Sequence, residues 1–278
     1  MRASKQKLWQ KIFVYFLLIA GAVVFMIPFL WMLSSSLKEL PQIFVFPPKW
    51  FPNPVRWDNY SRALERMNFL VALKNTVTIT VLCLVGQVGS TSLVAYGFAR
   101  IRFPGRDVLF TLLLSTMMLP GQVTMIPLFI IFRSLGWVDT FKPLIVPAFF
   151  GGGAFFIFLL RQFFLTIPKD LEDAARIDGC GRFRIFLQIV LPLAKPALIT
   201  VSIFSFMSHW NDFMGPLIYL NSEQNRTLAI ALQSFQGQYT ADWNLLMAAS
   251  VVVLIPVLII FFTLQRYFVE GIVLSGLK

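Results

Sequence analysis

Six stretches of this chain are each long and apolar enough to cross a lipid bilayer, at roughly 12–33, 71–99, 108–132, 141–164, 193–215 and 244–265. About 20 mostly apolar residues span the hydrocarbon core as an α-helix. In lipid, only helices and closed barrels satisfy every backbone polar group, and none of these runs shows the two-residue alternation of a barrel strand. The prediction is an all-α integral membrane protein of six transmembrane helices, forming one transmembrane domain over residues 1–278. Only 13% of the residues are charged, against about 25% in a soluble domain. The first run follows Lys5, Lys7 and Lys11. It is longer than the apolar core of about 7–15 residues in a cleaved leader, so it is predicted to be a retained span.

The formal charge of +11 does not point to nucleic acid, because the cations sit between apolar runs rather than on one face. They read as membrane-flanking charge. With the N-terminus inside, 15 Lys and Arg residues fall in inner segments and 8 in outer ones, with Lys74 at a boundary. That asymmetry predicts cytoplasmic termini. Cys83 lies in an apolar run and Cys180 in a polar loop, so no disulfide or metal site is expected.

Two connecting segments carry local signals. In the outer segment 34–70, five prolines break regular structure, Trp50, Phe51, Trp57 and Tyr60 suit the headgroup level, and 58–67 can form a short helix. The inner segment 166–192 is polar and ordered in pattern. Pro168 suits a helix start, and Asp170, Glu172 and Asp173 then sit near the positive end of the helix dipole. Gly179 is a natural stop, able to take a left-handed conformation. A second helix over about 182–191 would carry Phe183, Phe186, Leu187 and Val190 as one stripe. The result is a helix, a glycine turn and a helix outside the lipid.

The residues Asp173-Ala174-Ala175-Arg176-Ile177-Asp178-Gly179, followed by Ile189, Leu191 and Pro192, resemble the cytoplasmic coupling loop of ABC importer permeases. The family form is Glu-Ala-Ala, three residues, Gly, nine residues and Ile-x-Leu-Pro. Asp173 replaces the Glu, and Cys180 replaces a common Ala. Segments 118–127, 135–140, 206–213, Pro216-Leu217 and 265–271 are similar to the maltose-type small permease subunit of carbohydrate importers. The resemblance implies an ATP-driven importer of sugars or oligosaccharides in a prokaryotic inner (plasma) membrane. It implies no catalysis on this chain, with ATP and Mg held by partners. Those partners would be a second homologous permease, two ABC ATPase subunits and an extracytoplasmic solute-binding protein, with membrane lipid around them and no nucleic acid. Asp173, Ala174, Ala175, Asp178 and Gly179 would contact the ATPase, and the tail 270–278 would reach the ATPase dimer interface. A non-sugar solute such as glycerol-3-phosphate or a polyol is an open alternative. So is a stand-alone secondary transporter, for which Asp212 is the sole candidate ion-coupling carboxylate.

His209, Trp210, Asn211 and Asp212 lie near the end of the fifth run. Polar groups at that depth either line a solute path or bond between helices, and Gln87 and Gln122 raise the same question. Gly151, Gly152 and Gly153 interrupt the fourth run and suit either a hinge or a close helix crossing. The sequence has no Gly-x4-Gly-Lys-[Ser/Thr], no His-Glu-x-x-His and no paired catalytic carboxylates.

Overall fold

A computed structural model describes residues 2–237 and 241–276, and the side chains of 2–8, 264 and 266–276 are not described. No strand occurs among the described residues beyond an isolated bridge between Gln236 and Ala241. The helices are α1 (Arg2–Ser36), α2 (Leu40–Ile43), α3 (Asp58–Arg66), α4 (Phe69–Arg100), α5 (Arg106–Ser115), α6 (Gly121–Ser134), α7 (Lys142–Ile145), α8 (Ala154–Thr166), α9 (Lys169–Ile177), α10 (Arg182–Ile185), α11 (Leu191–Leu193), α12 (Lys195–Trp210), α13 (Met214–Tyr219), α14 (Leu228–Gln233) and α15 (Trp243–Gly276). Short 3-10 turns at Thr116–Met118, Val146–Phe149 and Glu223–Asn225, and a π-turn at Phe186–Val190, complete the order.

Four helical segments qualify as membrane spans by length and composition: Trp9–Ser36, Phe69–Arg100, Lys142–Thr166 and Trp243–Thr263. Two bent pairs raise the number to as many as six. The expected straight helix at 108–132 is instead Arg106–Met118 and Gly121–Ser134, bent by 99°. Leu119 is extended and Pro120, lacking an N–H, cannot continue the hydrogen-bond ladder. The expected helix at 193–215 is displaced too. Its apolar residues belong to a pair, Arg182–Leu193 and Lys195–Trp210, bent by 80° near Pro196. This helix stops at Trp210, and Asp212 Oδ1 accepts the Gly215 N–H at 3.1 Å at the start of α13. The expected helix 58–67 is found as α3.

Contacts divide the chain into two compact units. The first comprises Met1–Asn68 and Leu232–Ile255. Asn59 knits it together, donating through Nδ2 to the carbonyls of Ser36 (2.9 Å) and Lys38 (2.8 Å) and accepting from Asn244 Nδ2 (3.2 Å). Lys38 is fully buried there, with its ammonium 4.0 Å from the centroid of the Trp31 ring.

The second unit comprises Phe69–Ala231 and Pro256–Lys278. Within it α4 is the central post, packed against α8 and α12. Its buried face is mostly small or polar, with Ala72, Asn75, Thr76, Thr80, Gly86, Gln87, Thr91, Ser92, Ala95 and Ala99 beside Ile79, Cys83 and Tyr96. Without a hydrophobic drive between helices in lipid, small residues and hydrogen bonds are what bring helices close. At Gly86 an added Cβ would lie 2.6 Å from the Phe149 ring. Near the α9 end, Tyr96, Ile157, Leu160, Phe164, Ala175, Ile185, Phe186, Val190 and Val201 form one apolar core.

Candidate functional site

The polar segment after α8 folds into the expected hairpin. Pro168 precedes α9, with Asp170 and Glu172 in its first turn. Gly179 takes φ +80°. The Gly179 N–H donates to Arg176 O at 3.0 Å and the Cys180 N–H to Ala175 O at 2.9 Å. This paired pattern closes a helix on a left-handed glycine. The second arm runs from Arg182 through the π-turn to Leu193.

The π-turn alters which side chains face inward. The stripe expected from the sequence is divided: Phe186 and Val190 are buried, whereas Phe183 and Leu187 are exposed. Ile185 is buried in their place, because the wider turn advances the register by one residue relative to an α-helix. Phe186 packs on Tyr96, with ring centroids 5.0 Å apart.

One ion pair fixes the hairpin to α4. Arg100 Nε lies 3.0 Å from Glu172 Oε1, and both side chains are only 3% exposed. Arg100 Nη2 also donates to the carbonyls of Phe164 and Ile167, at the end of α8. A single guanidinium therefore joins α4, α8 and α9. Arg176 braces the outer face of α9, 2.9 Å from Asp173 and 3.8 Å from Glu172. Glu172 reads in the sequence as a helix-dipole acid and Arg100 as a membrane-flanking cation, and nothing there pairs them. An acid in the first turn of α9 and an Arg closing a long apolar run were the available signals.

Of the residues singled out for partner contact, Asp173, Ala174, Asp178 and Gly179 are exposed, the last two at the turn, while Ala175 turns into the core. Two large apolar side chains stand beside them, Ile177 at 87% exposure and Phe183 at 65%. Exposed apolar side chains of this size next to charged ones mark a contact surface.

The second group of candidates is divided by the structure. His209 Nε2 lies 2.9 Å from Gln87 Oε1, which also accepts from Ser205 Oγ at 2.6 Å. Gln87 Nε2 donates to Gly152 O. Gln87 thus links α4, α12 and the glycine break before α8. Trp210 is buried and stacks on Phe206 at 5.3 Å, whereas Asn211 is exposed and donates to Met207 O at 2.8 Å. Gln122 is exposed on α6. Gly151, Gly152 and Gly153 have φ of +94°, +38° and +109°. A Cβ on Gly152 would meet Gln87 Cγ and Thr91 Oγ1 at 2.6 Å, so close approach requires this glycine.

A third knot joins two connecting loops of the same unit. Asp139 (φ +60°) accepts the N–H groups of Asn221 and Ser222, each at 2.9 Å, together with Asn225 Nδ2 at 3.1 Å and the Ser222 hydroxyl. These donors, the Ser222 hydroxyl foremost, hold its carboxyl far below the usual carboxylate range. No group of three or more His, Cys, Asp or Glu residues able to hold a metal occurs among the described residues.

Residues 88–273 match the family described as binding-protein-dependent transport system inner membrane component. The chain belongs to that family. The arabinooligosaccharides transport system permease protein AraQ of Bacillus subtilis is 36% identical over 82% of this chain and 80% of its own. The sulfoquinovosyl glycerol transport system permease protein SmoH of Agrobacterium fabrum is 32% identical over 90% of this chain and 88% of its own. Among solved structures, a chain of a bacterial ABC transporter involved in the import of the acidic polysaccharide alginate superposes with a TM-score of 0.81. It shares 26% identity and covers 92% of this chain and 95% of that one. This permease is therefore a multi-pass inner-membrane protein of an ABC import system. The family match includes the whole hairpin and the Gln87 partners Ser205 and His209.

Proposed function

We propose that this permease is the transmembrane subunit of an ATP-driven importer of sugars or oligosaccharides, with residues 1–278 acting as one domain. It crosses a prokaryotic inner membrane six times, with each bent helix pair counted as one span and both termini cytoplasmic. It forms half of the pathway beside a second, homologous permease. Two ABC ATPases bind and hydrolyse ATP with Mg, and an extracytoplasmic binding protein delivers the solute. This chain performs no chemistry of its own.

The observation that carries the reading is an exposed, apolar-tipped hairpin held by a buried ion pair to the end of the central helix. An ATPase that grips Asp173, Ala174, Asp178, Gly179, Ile177 and Phe183 moves a stiff element. Arg100 and Glu172 pass that displacement to α4 and α8. At mid-depth, the Gln87 network couples α4 to α12. Gln87 spends its amide on Gly152, Ser205 and His209, so these contacts set helix positions. Asn211 and Asp212, nearer solvent, are left for the solute path. The carbohydrate names of the relatives support a sugar, and the sulfoquinovosyl glycerol relative supports a glycosylated polyol as a second reading.

Changes of charge at the tip test the assignment. Asp178→Arg and Ile177→Asp should leave the protein folded in the membrane and abolish ATP-dependent uptake by the reconstituted importer, with loss of ATPase co-purification. Uptake at the wild-type rate in both variants refutes the hairpin as the coupling element.

A further inference from the structure

Beside the hairpin, an open cleft of about 550 Å³ is lined by Arg100, Arg102, Arg106, Lys169, Arg176 and Arg182. Its acids are Glu172 and Asp173, and both are already engaged, with Arg100 and Arg176. Arg106 pairs with Asp107, which lies outside the lining. Among the described residues, Arg102, Lys169 and Arg182 have no ion-pair partner. Arg100 is 3% exposed, and its Nη1 has no hydrogen-bond partner. A buried guanidinium donor without an acceptor is costly, so an acceptor oxygen that reached Arg100 from the cleft would be held there.

The position narrows the ligand. Arg100 closes the apolar segment Phe69–Arg100, and Arg106 opens the next, Arg106–Met118. The cleft therefore lies where spans meet water, level with lipid headgroups. Ala99 and Leu165 add an apolar wall beside the cations, as a ligand with a charged head on an apolar body requires. The structure assigns this cleft to the phosphate of an anionic phospholipid headgroup, seated between α4, α5 and the hairpin. Basic pockets between membrane helices take such headgroups by the same electrostatics. A lipid held there bridges the span ends and the base of the hairpin, so membrane composition would tune how firmly the hairpin is set.

Native mass spectrometry tests this on the full chain and on the assembled importer, released from bilayers of phosphatidylcholine doped with phosphatidylglycerol or cardiolipin. The wild type should keep an anionic-lipid adduct in both states. Arg102→Gln, Lys169→Gln and Arg182→Gln each remove a cation that holds no protein partner. Retention should fall about five-fold per cation removed. The charge-keeping variant Arg102→Lys/Arg182→Lys should retain lipid, which separates binding from folding. Equal lipid retention in the triple Gln variant and the wild type overturns the assignment. Capture of inorganic phosphate without lipid overturns it in favour of a free-phosphate site. An adduct on the isolated chain that is lost in the assembled importer overturns it in favour of an acidic surface on the ATPase.

Discussion

Glu172→Leu should be among the most damaging single changes in this permease, although Glu172 lies one residue before the recognisable motif. The Arg100 and Glu172 side chains are each 3% exposed and meet at 3.0 Å. Removing one partner leaves the other as an uncompensated buried charge, a loss of about 3–5 kcal/mol. For Glu172→Leu the stranded group is a guanidinium that still donates to Phe164 O and Ile167 O. Those bonds keep the loss near the lower end, at about 3 kcal/mol. For Arg100→Met the stranded group is a carboxylate that keeps only Arg176, at 3.8 Å, and two carbonyls lose their donor as well. That variant should lose about 4–5 kcal/mol. In Arg100→Met/Glu172→Leu neither charge remains, so the double variant should be more stable than the sum of the single losses by at least about 2 kcal/mol. Equilibrium unfolding of the purified protein in mixed micelles measures all three. Losses that add to within about 0.5 kcal/mol would show two independent residues and refute the clamp. The double variant also separates stability from coupling. Its apolar contact restores fold without the guanidinium bonds to α8, so ATP hydrolysis by the assembled importer should lose its dependence on solute.

Four further outcomes follow from local geometry. Gly179→Ala adds a Cβ into open space at φ +80°, costing about 1–2 kcal/mol of backbone strain, whereas Gly152→Ala drives a Cβ to 2.6 Å from Gln87 and Thr91 and should prevent correct packing, as yield and melting will show. Gln87→Leu orphans Ser205 and Gly152 O at once and should cost about 2 kcal/mol or more in the same unfolding assay, while Ser205→Ala should cost about 1 kcal/mol. Asp139 has a depressed pKa, so its stabilisation is present above the ordinary carboxylate pKa of about 3.9 and is lost as pH falls below it. Proteolysis of the 221–226 loop should therefore rise in acid for the wild type and be high at every pH for Asp139→Asn. Burial lowers the Lys38 pKa and Nζ has no hydrogen-bond partner, so Lys38→Met should raise thermal stability, and the wild type should gain stability as alkali discharges the amine.

Span existence was legible from the sequence because apolar length is nearly sufficient evidence in a bilayer. Span shape was not. Pro120 stood inside the third run, yet hydropathy averages over a proline, and the 99° bend follows from a backbone donor that is missing rather than from a side chain. The hairpin was legible because capping chemistry is local: Pro168, the acids of the first turn and Gly179 act within a few residues of themselves. Its inward face was not, since a π-turn over Phe186–Val190 shifts the helical period that the stripe assumed. The Arg100–Glu172 pair and the Gln87–His209 contact join residues 72 and 122 positions apart, by subtraction of their numbers, and no local pattern announces such pairs.

The two buried polar devices differ in kind for a reason of depth. At the end of α4, water and headgroups are near, so an ion pair can be assembled without carrying bare charge through hydrocarbon. There it gives a stiff joint, because both partners must move together or strand a charge. At mid-span, an ion pair would face the full cost of charge in lipid, and the chain uses a neutral amide instead. Gln87 offers a donor and an acceptor to two elements beyond its own helix, and an amide can exchange one partner for another at modest cost. In the proposed mechanism, a stiff joint at the hairpin end lets displacement enter without slack, and an exchangeable one at the midpoint lets helices settle into a second arrangement. Exchanging the two should fail in both directions. Gln87→Glu with Ser205→Lys places an ion pair at mid-depth and should lock or unfold the protein, while Arg100→Gln with Glu172→Gln should fold and transport poorly. Transport at the wild-type rate by either double variant would remove the distinction.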